Sequence, residues 1–477
     1  MESAVILLLP SLLYAQESDP SPEASAEQAA GDESIEETAP APVEAGFISQ
    51  VLPSGMKVSI LSDPDQPIVA TQMWVQLGSA HEADRELGFA HLFEHLMFGE
   101  TDNYDKEAYS RHHTVHGGSE NAYTSFDNTV YISEIGPSEH DQVLVFEADR
   151  MANLILDADN LANEQKIVTE ELRMRTENNP AARLMGPALA TLFGEHPYGH
   201  APAGTKEDIA GADLELVQKF YAGYYHPANM HLVIAGPVNG PETLARIETL
   251  FAVVDKERLT PPEVADLSTW TFPERVTLKE DLPPIKIAAQ VWFGPTRRDA
   301  DYWAYRVMTE MLAGGELDRF REELVTKRGK AVEALTLAEE LRAGAIISFA
   351  SINLPFRSRG RSFRLLNKTV DTLNEGDWMS EENLETVRRR MLRDELSRSY
   401  YAASMADAIG QAYAWQGDDR LALEGASEAI DAVTLDQVRA AWQAYVIDAD
   451  PVELFIKKGK ATELAPDTAA LHPGEER

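Results

Sequence analysis

The first half of the chain opens with apolar runs whose spacing predicts β-strands. Residues 47–52 and 56–62 are short apolar runs on either side of a Pro-Ser-Gly turn, which predicts a hairpin. From Val69 to Leu77 every second residue falls on one face, which predicts a third strand. Shorter runs predict strands at 121–125, 129–133 and 230–235.

The segments between these strands have helical periodicity. Helices are predicted at 86–98, 104–113, 138–156, 160–177, 212–222 and 241–251. Strands and helices alternate irregularly, so the predicted fold class is α+β.

The second half of the chain echoes the first. The run 72–75 (Gln-Met-Trp-Val) is similar to 290–293 (Gln-Val-Trp-Phe), and each run precedes a helical pattern. A polar segment with two consecutive prolines, 255–269, separates the halves and predicts a linker. We therefore predict two similar domains of ordinary size, 47–254 and 270–462, followed by a flexible tail, 463–477.

The N-terminal residues predict export. Residues 4–15 are uninterrupted by charge and apolar, but a membrane-spanning helix needs about 20 residues. The run instead fits the core of a signal peptide, 1–16, although no positive charge precedes it, and predicts a periplasmic or secreted protein. Residues 17–46 hold nine acidic residues and four prolines but no Lys or Arg, which predicts a disordered acidic linker. No transmembrane helix is predicted.

Composition excludes several classes of function. The formal net charge is −37, and a surface this acidic repels phosphate, so no nucleic-acid partner is expected. Cysteine is absent, which excludes a thiol nucleophile, an iron–sulfur cluster and any cysteine-ligated metal.

One short motif carries candidate chemistry. His91, Glu94 and His95 form the pattern H-x-x-E-H within a predicted helix. Histidines four residues apart lie one above the other on a helix, so both imidazoles can reach one metal ion. Glu94 lies on the same side and can stand beside the ion without binding it. This is the inverted zinc-peptidase motif. Two structural histidines on a helix are the alternative interpretation.

A catalytic zinc ion usually takes three protein ligands and a water molecule. The predicted helix at 160–177 offers Glu164 and Glu171, which are two helical turns apart and face the same way. Glu170 points about 100° away from Glu171. One of the two aligned carboxylates can bind zinc while the other supports a ligand. An ordinary solvated acidic helix is the alternative.

These motifs resemble the pitrilysin/insulinase family of zinc peptidases, which includes mitochondrial processing peptidase. In that family a glutamate about 76 residues after the motif completes the zinc site, and 76 residues after His95 stands Glu171. The resemblance implies one zinc ion per chain, held by His91, His95 and Glu171. It also implies that Glu94 is the general base and that Glu164 is a supporting carboxylate.

The resemblance extends over about 47–460 and implies further properties. Each domain is expected to be a mainly antiparallel sheet covered by helices. The activity is expected to be that of a zinc-dependent metalloendopeptidase acting on peptides. The segment 117–125 resembles the family's substrate-pairing strand, which assigns backbone recognition of the peptide to Asn121, Ala122, Tyr123 and Thr124. The segments 196–199 and 230–236 match other landmarks of the family.

The second half departs from the family in one respect. Active members commonly carry an Arg and a Tyr, seven residues apart, that reach the substrate and its developing oxyanion. Those positions read Val325 and Val332 here, and neither side chain can donate a hydrogen bond. Val307 and Met311 stand where a second pair of histidines would be. The favoured hypothesis is a catalytic subunit of a heterodimer, whose related partner supplies the Arg and Tyr.

Three alternatives remain at this point. The chain is a self-sufficient peptidase with another donor, such as Arg328; a non-catalytic core or scaffold subunit of a peptidase-like complex; or a periplasmic peptide-binding protein without zinc. Five other histidines are weaker candidates for metal binding. His112, His113 and His116 are close together and such a cluster can bind metal, but a polar surface loop is the favoured interpretation, and for His196 and His200 a turn is favoured over ligation. The sequence does not identify the substrate or the cleavage site.

Overall fold

The structure is a computed structural model that describes residues 43–178, 182–252, 259–281, 283–314, 318–424 and 426–460. The strands are β1 Gly46–Val51, β2 Lys57–Ser62, β3 Val69–Val75, β4 Ser119–Thr124, β5 Thr129–Ile135, β6 Met230–Gly236, β7 Arg275–Glu280, β8 Lys286–Phe293, β9 Glu333–Leu341, β10 Gly344–Asn353 and β11 Val452–Lys458. The helices are α1 Phe89–Leu96, α2 Ala108–His116, α3 His140–Asn153, α4 Ala158–Asn178, α5 Ala182–Phe193, α6 Lys206–Ala210, α7 Leu214–Tyr224, α8 Gly240–Leu250, α9 Tyr302–Ala313, α10 Arg319–Arg321, α11 Arg359–Asn374, α12 Glu381–Arg398, α13 Ala402–Gln416, α14 Ala426–Ala432 and α15 Leu435–Trp442.

Two sheets organise the described residues. The first has the strand order β1-β2-β6-β3-β5-β4, and the second has the order β7-β11-β8-β10-β9. Neighbouring strands are antiparallel except for β2 with β6 and β7 with β11. The spatial order β2-β6-β3-β5-β4 in the first sheet corresponds to β7-β11-β8-β10-β9 in the second, so these five strands have the same connectivity in both sheets. The predicted α+β class with two similar, mainly antiparallel sheets covered by helices is confirmed.

Each sheet buries one face under helices of its own half. In the first, β3 and β6 are buried along their whole length, and α1, α3, α4, α7 and α8 cover the sheet. In the second, α9, α11, α12 and α15 form the corresponding layer over β8 and β10. Val307 and Met311 of α9 are buried in this second core and contribute apolar packing there.

Each half also contributes one helix to the other half, where it packs on the sheet face that the receiving half's own helices leave uncovered. Helix α13 packs on β3 and β6 of the first sheet, whereas α5 packs on the second sheet through Leu184 and Ala188. At Gly410 of α13 a β-carbon would lie 2.1 Å from the indole ring of Trp74, so only glycine permits this close approach. The exchange buries apolar surface between the halves and fixes their relative position.

The predicted elements of the first half agree with the structure except at three places. The short helix α6 was not predicted. Helix α5 was not predicted, because Gly186 and Pro187 interrupt its apolar pattern and normally break a helix. The predicted surface loop that carries His112, His113 and His116 is wrong: these residues lie on α2, and His113 is buried.

Several predicted segments lie outside the described residues. These are the signal peptide 1–16, nearly all of the acidic linker 17–46, part of the interdomain linker 255–269, and the tail 463–477. The predicted domain boundaries therefore stay predictions. Among the described helices, none combines the length and apolar character needed to cross a bilayer.

Candidate functional site

The H-x-x-E-H motif lies on the short helix α1, which is anchored on its apolar side. Phe93 packs against the rings of Phe220 and Tyr221 on α7 and of Tyr225 just after that helix. Tyr131 of β5 donates a hydrogen bond to the carbonyl of Phe93 at 2.9 Å. These contacts turn His91, Glu94 and His95 toward α4 and β4. The predicted motif therefore stands on a helix with a fixed orientation.

Helix α4 brings its acidic side to α1. Val168 and Leu172 are buried in the core, and Glu164 and Glu171, which lie along the same side of the helix, are on the α1 side. Glu171 Oε2 lies 3.2 Å from His95 Nε2 and 3.9 Å from His91 Nε2. One ligand atom from each of these three residues lies within 4.8 Å of the other two.

This arrangement fits a zinc ion. Ligands bound at 2.0–2.2 Å around a tetrahedral ion are about 3.4 Å apart, close to the measured separations. Two imidazoles and one carboxylate are a donor set of catalytic zinc sites. Glu171 Oε2 is buried beside His95 Nε2, and as a carboxylate oxygen it is available as a ligand.

The surroundings set the protonation of the three candidate ligands. Burial lowers the pKa of His91 to about 4, which leaves its imidazole neutral and able to bind metal. Burial also lowers the pKa of His95, but the contact with Glu171 and the charges of Glu94 and Glu164 raise it more, so it lies above its ordinary value. Burial raises the pKa of Glu171, yet the two imidazoles and Arg175 outweigh this effect and bring it to about 2.

Glu94 stands beside the three candidate ligands, where a base is needed. Its Oε2 accepts a hydrogen bond of 2.7 Å from Thr124 Oγ1 on β4. Burial raises the pKa of Glu94 to about 7, against the opposing effects of Thr124 and His95. A carboxyl group whose pKa is near neutrality can both take up and release a proton at physiological pH.

The remaining acidic residues of α4 have different surroundings. Glu164 is buried, and its Oε1 accepts hydrogen bonds from Lys106 at 2.6 Å and Asn163 at 3.1 Å. It acts on His95 through its charge rather than as a candidate ligand. Glu170 is exposed and pairs with Arg173. The structure thus separates the three acidic residues in the way that their spacing on the helix predicts.

Strand β4 is one of the two edge strands of the first sheet and carries the predicted substrate-pairing residues. Asn121, Ala122, Tyr123 and Thr124 all lie on it, and it pairs on one side only, with β5, within the described residues. The N–H of Ala122 donates to Asn121 Oδ1 and not to β5. At the unpaired edge of β4, the main-chain N–H of Ala122 is therefore covered by the side chain of Asn121.

A cavity of about 630 Å³ between the halves adjoins β4. Residues 123–128 border it on one side, and β9, α9, α12 and α13 border it on the other. The hydroxyl of Tyr123 donates to Asp407 of α13 at 3.3 Å. Thr124 lines this cavity and also contacts Glu94, but neither Glu94 nor the three candidate ligands line it.

The residues at the family's Arg and Tyr positions in the second half have different surroundings. Val325 packs against the second core, whereas Val332, just before β9, is 52% exposed. Arg328 donates to Thr372 of α11 at 2.6 Å, so its guanidinium is already engaged there. His196 has a structural role: its Nδ1 accepts from the N–H of Tyr198 in the turn predicted for it.

Three contributors to the site were not predicted. Arg175 lies one turn after Glu171 and contacts its Oε1 at 2.5 Å, a pairing that the i,i+4 spacing signals. Thr124 was predicted only as a substrate-pairing residue, and its contact with Glu94 has no signal in the sequence. The third is Glu82, whose side-chain oxygens accept hydrogen bonds from the N–H groups of Gly88 and Ala90, each at 2.7 Å.

Glu82 fixes the beginning of α1. Its fully buried carboxyl satisfies main-chain donors that the first turn of a helix leaves unpaired. Gly88 precedes the helix with φ 84°, and a β-carbon there would lie 2.9 Å from the carbonyl of Ala203, so this entry to the helix requires glycine. Burial raises the pKa of Glu82 well above its ordinary value, against the opposing effect of these N–H groups.

We expect Glu82→Gln to lower the free energy of unfolding by about 1–3 kcal/mol, because the amide presents an N–H group to a main-chain donor. Activity should fall as well, since α1 carries the motif. Asp84→Asn in the same loop is the control, because Asp84 is exposed, and its stability should stay near that of the parent. Urea unfolding of both variants measures the difference, and equal stability of the two would show that Glu82 does not support α1.

Comparisons with known proteins agree with this geometry. The insulinase profile (peptidase family M16) matches residues 57–206, and the profile of the M16 inactive domain matches 212–391. A zinc protease of Helicobacter pylori, PqqE, is 24% identical over 86% of this chain and 92% of its own length. The probable β subunit of mitochondrial processing peptidase from Arabidopsis thaliana is 26% identical over 55% of this chain and 49% of its own length. A solved structure of a protease from Helicobacter pylori covers 87% of this chain and 99% of its own, with 22% identity and a TM-score of 0.75.

Proposed function

The chain belongs to the insulinase family of peptidases, family M16, and we propose that it is a zinc-dependent metalloendopeptidase. The observation that carries the proposal is the convergence of His91 Nε2, His95 Nε2 and Glu171 Oε2 beside the carboxyl of Glu94. Relatives over most of the chain's length are named zinc proteases, which supports the choice of metal.

The proposed ligands are His91, His95 and Glu171, with one zinc ion per chain. When bound, zinc supplies Lewis acidity, which polarises a peptide carbonyl and lowers the pKa of water to about 7. Arg175 holds the second oxygen of Glu171, and Glu164 adds negative charge beside His95. The contact with Arg175 orients Glu171, and the charge of Glu164 favours a cation beside His95.

Glu94 is the proposed general base. Its carboxylate takes a proton from the attacking water, and the same proton passes to the amine nitrogen as the peptide C–N bond breaks. The hydrogen bond from Thr124 holds one oxygen of Glu94, which leaves the other free to receive this proton. Proton transfer by a positioned group contributes about 10²–10⁴-fold to the rate.

Strand β4 is the proposed peptide-binding edge. An extended substrate would add to the sheet beside Asn121, Ala122, Tyr123 and Thr124, and its main chain would replace Asn121 as the partner of the Ala122 N–H. Main-chain pairing tolerates many side chains, so we expect cleavage of varied extended peptides. The contact of Thr124 with Glu94 supports this choice, because a peptide added beside β4 would lie next to the proposed base.

We further propose that the chain is the catalytic subunit of a heterodimer whose related partner supplies an Arg and a Tyr. Val325 and Val332 cannot stabilise a developing oxyanion, and Arg328 is engaged with Thr372, which disfavours the self-sufficient alternative. Losing such a donor typically costs about 10²–10³-fold in rate.

Export to the periplasm or the exterior is proposed from residues 1–16 alone.

The lone chain should therefore hydrolyse a quenched fluorescent peptide weakly, and a homologue that carries the Arg and Tyr should raise the rate by about 10²–10³-fold. The same homologue with both residues replaced by Ala and Phe is the control, and it should bind without raising the rate. Full activity of the lone chain, unchanged by the intact homologue, would contradict the heterodimer. Zinc binding with no hydrolysis under any combination would favour a non-catalytic scaffold subunit.

A further inference from the structure

A second group of metal-binding side chains lies on α2, away from the residues described above. Three histidines occur on this helix, and they have different surroundings. His113 is buried and contacts Ser133 Oγ at 2.6 Å and the carbonyl of Tyr109 at 3.0 Å, so the fold uses both of its ring nitrogens. His112 and His116 are one turn apart on the other side of the helix, with ring centroids 4.7 Å apart.

A carboxylate from another element completes this group. Glu139 lies just before α3, and its Oε2 is 3.5 Å from Nδ1 of His116. Nε2 of His112 lies 3.2 Å from the main-chain carbonyl oxygen of Glu139. One potential ligand atom from each of the three residues lies within 4.8 Å of the other two. The side chains of His116 and Glu139 are 38% and 32% exposed, so solvent can reach the group and occupy further coordination positions.

We propose that His112, His116 and Glu139 form a second binding site for a divalent transition-metal ion such as zinc. Imidazole nitrogens suit zinc, copper and nickel, and the carboxylate adds an anionic ligand. Two histidines at i and i+4 on a helix are already aligned for one ion, and the 3.5 Å contact is close to the ligand separation of about 3.4 Å around tetrahedral zinc.

The second site should bind zinc more weakly than the first. Its ligands are partly exposed, whereas His91 is buried and Arg175 orients Glu171. An ion there would join the last turn of α2 to the corner between β5 and α3. Because β4 begins at Ser119, three residues after His116, the ion would also restrain the chain just before the peptide-binding edge.

Equilibrium dialysis of the full chain against excess zinc chloride, followed by elemental analysis, tests the site. We expect His116→Ala to bind one zinc ion fewer per chain than the parent. Val115→Ala is the matched control on the same helix, because Val115 is 71% exposed and offers no ligand atom, and it should bind as much zinc as the parent. Equal zinc contents of His116→Ala and the parent would overturn the proposal. The test measures the difference in zinc per chain between the variant and the parent, so it is valid whether or not zinc also occupies the site at His91, His95 and Glu171.

A second variant and a local measurement guard against a folding artefact. Glu139→Gln should also lose the ion, and both variants should melt at the parent's Tm when EDTA is present. Zinc should slow amide hydrogen exchange of residues 108–118 in the parent and leave it unchanged in His116→Ala. Zinc that slows exchange equally in both proteins would place the bound ion elsewhere and refute this assignment.

Discussion

Replacing Glu94 with glutamine is expected to lower kcat by about 10²–10⁴-fold, because the amide cannot accept the proton of the attacking water. The amide oxygen can still accept the hydrogen bond from Thr124, so α1 and β4 should keep their positions. Zinc content should therefore match that of the parent. The measurement is kcat on a quenched peptide with the partner homologue present, together with zinc per chain by elemental analysis.

Glu170→Gln is the matched control for this substitution. Glu170 adjoins Glu171 in sequence, but it is exposed and pairs with Arg173, so its loss should change kcat less than about twofold. If Glu94→Gln cleaved the peptide as fast as the parent, Glu94 would not be the base and the hydrolase assignment would fail. A variant that lost its zinc together with its activity would instead show that Glu94 holds the metal site together.

The largest expected effect on stability is that of Glu147→Ala. Glu147 and Arg150 form a fully buried ion pair on α3 with contacts of 2.6–3.0 Å, and the hydroxyl of Tyr109 donates to Glu147 at 3.0 Å. The guanidinium of Arg150 lies over the ring of Tyr131, 4.6 Å from its centroid. Removing the carboxylate leaves a buried, uncompensated cation, which typically costs about 3–5 kcal/mol.

Urea denaturation of Glu147→Ala measures this cost, and Glu215→Ala is the control. Glu215 pairs with Lys219 at the surface of α7, where such a pair contributes about 0.3–0.5 kcal/mol. Tyr131 also supports α1 through the carbonyl of Phe93, so Glu147→Ala should lose activity at lower urea concentrations than the control. Equal denaturation midpoints for the two variants would mean that the buried Glu147–Arg150 pair adds nothing to the stability of the protein.

The local pattern of the sequence was sufficient where one element carries the signal. Helix α1 contains the whole H-x-x-E-H motif, so its spacing alone places His91 and His95 one turn apart. The alternation from Val69 to Leu77 likewise predicts β3. The α+β class followed from the order of such elements, and it is confirmed.

Features that depend on tertiary packing were beyond the sequence pattern. The spacing on α4 left Glu164 and Glu171 as alternatives, and only the family resemblance chose Glu171; packing against α1 brings Glu171 to the imidazoles. The metal-ligand roles themselves stay predictions. Thr124 and Glu82 reach α1 from a strand and a loop, and no periodicity signals such contacts.

The exchanged helices show a further limit. Helix α5 contains Gly186 and Pro187, so its local sequence opposes a helix, and packing against the second sheet outweighs that preference. Helix α13 lies between β10 and β11 of the second sheet in sequence but packs on the first sheet, where Gly410 permits contact with Trp74. Two similar sheets were predictable, but the crossing of one helix from each half to the other sheet was not.

The most direct test of the central claim is a crystal structure of the zinc-loaded chain with anomalous diffraction measured on both sides of the zinc absorption edge. The account predicts a zinc peak within about 2.0–2.2 Å of His91 Nε2, His95 Nε2 and an oxygen of Glu171, with Glu94 beside the ion but outside bonding distance. A zinc-loaded crystal with no peak among these three residues, or with Glu171 turned away from the ion, would contradict it.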